Sequence, residues 1–265
     1  MMRVARALCL HELRERTRDR WVLVISALFA LLASAVGLYG RSAEGNVAAL
    51  TGPSLVTLAS LFVPLVALAL GYDAIVGERE RNTLGLLLSL PVSRGEVVLA
   101  KFAGRGIALT IAVLLGLGAA MLAAAEGEAR TLAMLIGPTL LLGLSFVAIG
   151  ILVSTLASRQ SVAASLVVVI WFLFVFFYDL GLLGLLVATD GDVPQWLIAA
   201  LVVANPAGLY RIQLVAALSG TETLSDVGLA SVLPGPGVTA AIWTAWILGP
   251  IALSAAALSM KRAFR

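Results

Sequence analysis

Gly77-Glu78-Arg79-Glu80-Arg81-Asn82-Thr83-Leu84-Gly85-Leu86-Leu87-Leu88-Ser89-Leu90-Pro91-Val92-Ser93-Arg94-Gly95-Glu96 separates two long apolar runs, and it is not built as a plain tether. A tether is polar throughout. This stretch instead holds a short apolar helix that starts at Asn82 or Thr83 and stops before Pro91. Such a helix rises only about 12 Å, too little to cross a bilayer. Ser93 and Glu96 then form a capping-box pattern ahead of the next apolar run, which marks a new helix start. The residues describe a short helix held between two membrane-crossing helices. It can transmit motion from a soluble partner, or it can lie at the interface without one.

The flanks fix the class. Of the 265 residues, 61% are hydrophobic and 12% charged, and the mean hydropathy is +1.04. Soluble domains carry about 45–50% apolar and about 25% charged residues, so an ordinary soluble enzyme is excluded. The apolar runs fall at 21–39, 55–76, 106–125, 131–156, 161–188 and 238–260, the third turning helical nearer Val97. Six spans of an all-α integral membrane protein are expected. The single cysteine excludes a disulfide framework within one chain and a paired-cysteine metal site.

Lys and Arg report topology rather than nucleic acid. Arg3, Arg6, Arg14, Arg16, Arg18 and Arg20 precede the first run, and Arg79, Arg81, Arg94, Lys101 and Arg105 lie between the second and third. Arg159 sits in the turn between the fourth and fifth, and Lys261, Arg262 and Arg265 follow the last. Only Arg41, Arg130 and Arg211 occupy the alternate loops, so both termini and the linker are expected in the cytoplasm. Lys101 and Arg105 share a helix face at i, i+4 and are expected to reach the cytoplasmic headgroups. Ala33-Ser34-Ala35 has the form of a signal cleavage site, but it lies inside the apolar run and is read as part of an anchor. Residues 1–20 read as an interfacial helix whose Arg stems snorkel, or as a flexible basic anchor.

The outer stretch 189–237 has structure of its own. Residues 195–204 are apolar but too short to cross, and Asn205-Pro206 supplies an N-cap and a first-position proline for a helix to about Leu218. Tyr210 and Arg211 lie on that helix. Two acids fall within the span limits: Asp73 near the cytoplasmic edge and Asp179 toward the outer third of the fifth run. An acid at that depth is a functional-site candidate, lining a conduit or binding a polar group on another helix.

No GxxxxGK[ST] stretch is present, so that phosphate cradle is missing and the chain is expected to bind no ATP or Mg²⁺ itself. His11, the only histidine, lies in the cytoplasmic tail, which argues against an intramembrane Ser/His protease or a His-ligated metal. Met121 and Met134 bracket a short outer loop and could offer soft sulfur to Cu(I); packing is the better reading of both. No catalytic or metal-binding residue is assigned.

The fragment from Gly77 to Arg94 resembles the linker of type-two ABC exporter permeases, which commonly show G-E-x-E-x-G-T-L followed by proline and a Ser/Thr-Arg pair. Asn82 stands where that family usually has Gly. The resemblance implies a type-two ABC exporter fold as a single permease domain over 1–265, in a bacterial or archaeal inner membrane. It also implies a coupling helix that docks into a separate ATPase, and so makes Glu78, Arg79, Glu80, Arg81, Asn82, Thr83, Leu84, Leu87, Pro91 and Arg94 the candidate coupling residues. A narrower resemblance is to NosY permeases of the nitrous-oxide-reductase maturation transporter. It rests on Tyr72-Asp73-Ala74-Ile75-Val76-Gly77-Glu78, Trp171-Phe172-Leu173-Phe174-Val175 with Asp179, and Asn205-Pro206 with Leu209-Tyr210-Arg211. It implies a homodimer with two copies of the ATPase, a periplasmic β-helical partner near Asn205, Tyr210 and Arg211, and export of a sulfur species. Permeases for drugs, peptides or lipids are the alternative, with a membrane scaffold or intramembrane enzyme behind them.

Overall fold

The computed structural model describes residues 27, 48–89, 91–123, 128–226 and 234–260. Among these, every regular element is helical. The chain runs through α1 (Ala48–Gly71), α2 (Val76–Glu80), α3 (Leu84–Ser89), α4 (Arg94–Ala123), α5 (Glu128–Leu156) and α6 (Gln160–Phe172). A π-helical turn, Leu173–Phe177, joins α6 to α7 (Tyr178–Ala188). α8 (Gln195–Ala204), α9 (Pro206–Asp226) and α10 (Pro236–Met260) complete the described chain.

Five stretches among the described residues are long and apolar enough to cross a membrane: Val56–Glu80, Arg94–Leu122, Leu132–Leu156, Gln160–Ala188 and Pro236–Met260. They fall on the second to sixth expected runs. The first run, 21–39, and the expected interfacial helix within 1–20 lie outside the described residues. α8 and the first part of α9 form a pair bent by 109°, which has the composition of one broken or re-entrant span. α9 continues to Asp226, past the expected end near Leu218.

Local signals set the helix boundaries. Ser93 and Glu96 close the capping box at the start of α4: Ser93 N–H donates to Glu96 Oε2 at 2.7 Å, and Glu96 N–H donates to Ser93 Oγ at 3.2 Å. α2 ends in a Schellman motif, with Thr83 N–H bonding Glu78 O and Asn82 N–H bonding Arg79 O. That motif puts Asn82 in the left-handed region at φ 57°, which accounts for an Asn in the place of Gly.

α5 is the hub, packing on α1, α4, α9 and α10. Lipid tails are as apolar as leucine, so association of helices here depends on close packing, which small residues permit. Gly71 and Gly150 supply the closest approach: a methyl group built on Gly71 would lie 2.8 Å from Gly150 Cα and 2.9 Å from Val147 O. Leu68, Leu109, Leu142, Phe146 and Ile151 are among the fully buried side chains of the core. The span Gln160–Ala188 stands apart. Only 11% of its apolar window is buried, against 67% for Val56–Glu80.

Candidate functional site

The linker between α1 and α4 is tied to four helices, through its own side chains and through backbone groups. The first tie holds the break after α1. Residues 72–75 form a turn, and buried Ser154 of α5 accepts the N–H groups of Ile75 and Val76 at 2.9 and 3.0 Å. Two donors at the start of α2 are thereby satisfied away from water. Asp73 Oδ1, in the same turn, meets Arg105 Nη1 of α4 at 2.5 Å, and the same Arg105 nitrogen donates to Leu70 O.

The next residues diverge, each toward a different neighbour. Glu78 Oε1 accepts from Lys101 Nζ of α4 at 2.9 Å, and its other oxygen accepts from the Thr83 hydroxyl. Arg79 turns to the end of α5, donating to Ala157 O at 2.6 Å and Thr155 O at 3.3 Å. Glu80 Oε1 accepts Gln160 N–H at the start of α6 at 2.7 Å. Arg94 closes the far end of the linker by donating to Leu258 O at 2.6 Å and Ser259 O at 3.0 Å in the last turn of α10. Cations lie on helix C-termini and an anion on a helix N-terminus, the arrangement that backbone dipoles favour.

α3 stands outward from this frame. Leu84 is half-buried and packs on the core, Leu87 is half-buried, and Leu86 is 71% exposed. Arg81, Asn82, Thr83 and Pro91 have exposed side chains. The candidate coupling residues therefore divide into two groups. Glu78, Arg79, Glu80 and Arg94 reach back to the bundle, while the α3 surface faces outward.

One expectation is corrected here. Lys101 and Arg105 do not reach headgroups; both are buried, at 6% and 1% exposure, against Glu78 and Asp73. Burial in an apolar helix pair is tolerable because each charge has its counter-charge at contact distance. A signal was present in the sequence, since Asp73 and Glu78 lie five residues apart and Lys101 and Arg105 four.

A second polar cluster lies at the opposite half of the bundle. Asp179 is 19 residues from the start of α6, about 28 Å along the helix. Its carboxylate is held by Arg211 of α9 in a two-pronged pair, Nη1 to Oδ2 at 2.6 Å and Nη2 to Oδ1 at 2.8 Å. Tyr178 O–H donates to Leu201 O at 2.6 Å. Tyr178, Asp179, Leu182, Val202, Arg211 and Ile212 are among the residues lining a cavity of about 260 Å³ between α7, α8 and α9. A larger apolar cavity of about 510 Å³ lies between α5, α6 and α10, with Phe174 and Trp246 in its wall.

Asn205 builds the bend of α8 and α9, as its place before Pro206 implies. Its Oδ1 accepts Ala207 N–H at 3.0 Å, and its Nδ2 donates at 2.8 Å to Phe174 O in the π-helical turn. π turns alter the regular carbonyl ladder, and here the side-chain amide of Asn205 takes one of the oxygens. Asn205 and Tyr210 are fully buried, with the Tyr210 hydroxyl 3.1 Å from Thr139 Oγ1. Neither side chain exposes surface within the chain. Arg211 retains partial exposure beside Asp179.

The model of the family described as ABC-2 family transporter protein matches residues 6–263. The chain belongs to that family. A relative from Pseudomonas aeruginosa, named "Probable ABC transporter permease protein NosY", is 41% identical over 249 residues, covering 89% of this chain and 90% of the relative. One from Stutzerimonas stutzeri bearing the same name is 40% identical over 252 residues, covering 89% and 91%. As an ABC-2 permease, the chain is the membrane subunit of a transporter and not an enzyme. It is a multi-pass inner-membrane protein, and an ABC permease works with an ATPase partner.

Proposed function

We propose that this chain, as a single permease domain over 1–265, exports a sulfur species used to assemble the copper–sulfur centres of nitrous oxide reductase. In this reading it acts as a homodimer with two copies of a cytoplasmic ATPase and a periplasmic β-helical partner. Both termini and the linker face the cytoplasm, and ATP and Mg²⁺ reside in the ATPase. The likeness to NosY-named permeases supports the substrate assignment, and the charge distribution along the chain supports the orientation.

The linker carries the mechanism. Exposed α3 is the docking helix, and its four-way attachment through Glu78, Arg79, Glu80 and Arg94 passes the force of ATP-driven closure into the spans. Asp73 is a structural tie within that frame. Asp179 and Arg211, lining the small cavity of the opposite half, are the candidates for the substrate path.

An in-frame deletion in the native host tests the substrate assignment. The deletion strain is expected to make nitrous oxide reductase that lacks activity and the absorption of its copper–sulfur centres, both restored by the gene in trans. A fully active reductase in that strain would refute the assignment and leave another exported substrate, such as a drug, peptide or lipid. Affinity purification tests the coupling: recovery without any ATPase, under conditions that keep known transporter complexes intact, would overturn it.

A further inference from the structure

The ties of the linker do not all end on equally buried helices. Those to α4, α5 and α10 end on spans packed around the hub. The tie to α6 ends on the span with 11% of its apolar stretch buried within the chain, the least buried of the described spans. Arg159, the residue before α6, is extended at φ −135° and ψ 155° and gives the helix no side-chain cap. The cap comes from 80 residues earlier, as the Glu80 carboxylate on Gln160 N–H. Beyond α6 the same span passes through the π-helical turn, which bonds Asn205, and then reaches Asp179, which pairs with Arg211 of α9.

We propose that Glu80 is a positioning residue that transmits displacement of the linker to the span α6–α7 through its bond to Gln160 N–H. Its carboxylate binds this chain's own helix and not the ATPase. The inference rests on the reading that the ATPase acts on α3, and it assigns the route by which that action leaves the linker. The bond has one acceptor oxygen and one backbone donor, so it can be removed from either side. Gln160 is the first residue of α6, where proline is tolerated because the missing N–H belongs to no internal helix bond. The extended backbone of Arg159 is also the conformation a following proline requires.

The test uses the permease–ATPase complex in nanodiscs, with Cys9→Ser as background and spin labels on Val169 of α6 and Leu115 of α4, both exposed. Vanadate trapping with ATP is expected to shift the distance between the labels. Glu80→Ala and Gln160→Pro should each lower the ratio of shifted to unshifted populations about twofold to tenfold, the effect of losing one exposed hydrogen bond. The ATPase should co-purify undiminished with both. Glu80→Gln keeps an acceptor oxygen and Gln160→Ala keeps the N–H, so both should retain the shift. The double variant Glu80→Ala/Gln160→Pro should be no worse than either single. A normal shift in Glu80→Ala, loss of the shift in Gln160→Ala, or loss of the ATPase from Glu80→Ala would each overturn the proposal. Absence of the shift in the wild-type complex would instead overturn the coupling reading beneath it.

Discussion

Replacing Arg105 with methionine should destabilise the folded chain by about 3–5 kcal/mol, the usual effect of removing one partner of a buried ion pair. Methionine retains much of the apolar stem, so the loss comes chiefly from the charge. Arg105 is 1% exposed, and its guanidinium serves both the Asp73 carboxylate and the Leu70 carbonyl. Without it, the Asp73 carboxylate stays desolvated, its side chain 12% exposed, beside a carbonyl oxygen that has lost a donor. Asp73→Asn in the same chain removes the surplus charge and should recover a substantial part of the loss. Thermal or denaturant unfolding of detergent-solubilised single and double variants measures this directly, with a coupling of about 0.5–3 kcal/mol expected between the two positions. Lys101→Met should be milder, because Glu78 is more exposed and keeps the Thr83 hydroxyl. An Arg105→Met variant as stable as the wild type would show that the pair does not hold the linker.

The second large effect belongs to the helix crossing. Gly→Ala inside a helix ordinarily stabilises by about 1 kcal/mol through propensity alone. At Gly150 the sign should reverse. The added methyl would stand 2.9 Å from Gly71 Cα and 3.1 Å from Leu68 O, and backbone atoms cannot rotate away as a side-chain tip can. Overpacking of this kind costs about 1–3 kcal/mol or more, and Gly150→Val should exceed Gly150→Ala. Gly118→Ala on α4, which meets nothing within 4 Å, is the control and should be neutral or slightly stabilising. The same unfolding measurement decides the sign, and stabilisation by Gly150→Ala would remove the close crossing from the fold.

Local features were the legible part of this sequence. The second to sixth runs, the Ser93–Glu96 box and the Asn205 cap depend on residues within a few positions of one another, and each lies where its pattern puts it. Lys101 and Arg105 show where that legibility ends. Their spacing of four fixes a shared face, but whether the face meets headgroups or Glu78 and Asp73 depends on the rotation of α4 against α1 and α2. Tyr210 and Arg211 make the same point within one helix. Adjacent residues differ by about 100° around the axis, so one fills the core against Thr139 while the other reaches Asp179. Ser154 gave no local sign at all, because its acceptor role exists only where α5 passes the break between α1 and α2. The linker motif was visible as a motif. That its successive charges serve different helices required the packing.

The most direct test of the linker's role places a photoreactive benzoylphenylalanine at Leu86, the outward side chain of α3, and another at Leu115, exposed on α4 within its apolar run. After illumination of the purified permease–ATPase complex, a covalent adduct with the ATPase is expected from position 86 and none from position 115. An ATPase that co-purifies but forms no adduct from position 86 would contradict α3 as the docking helix.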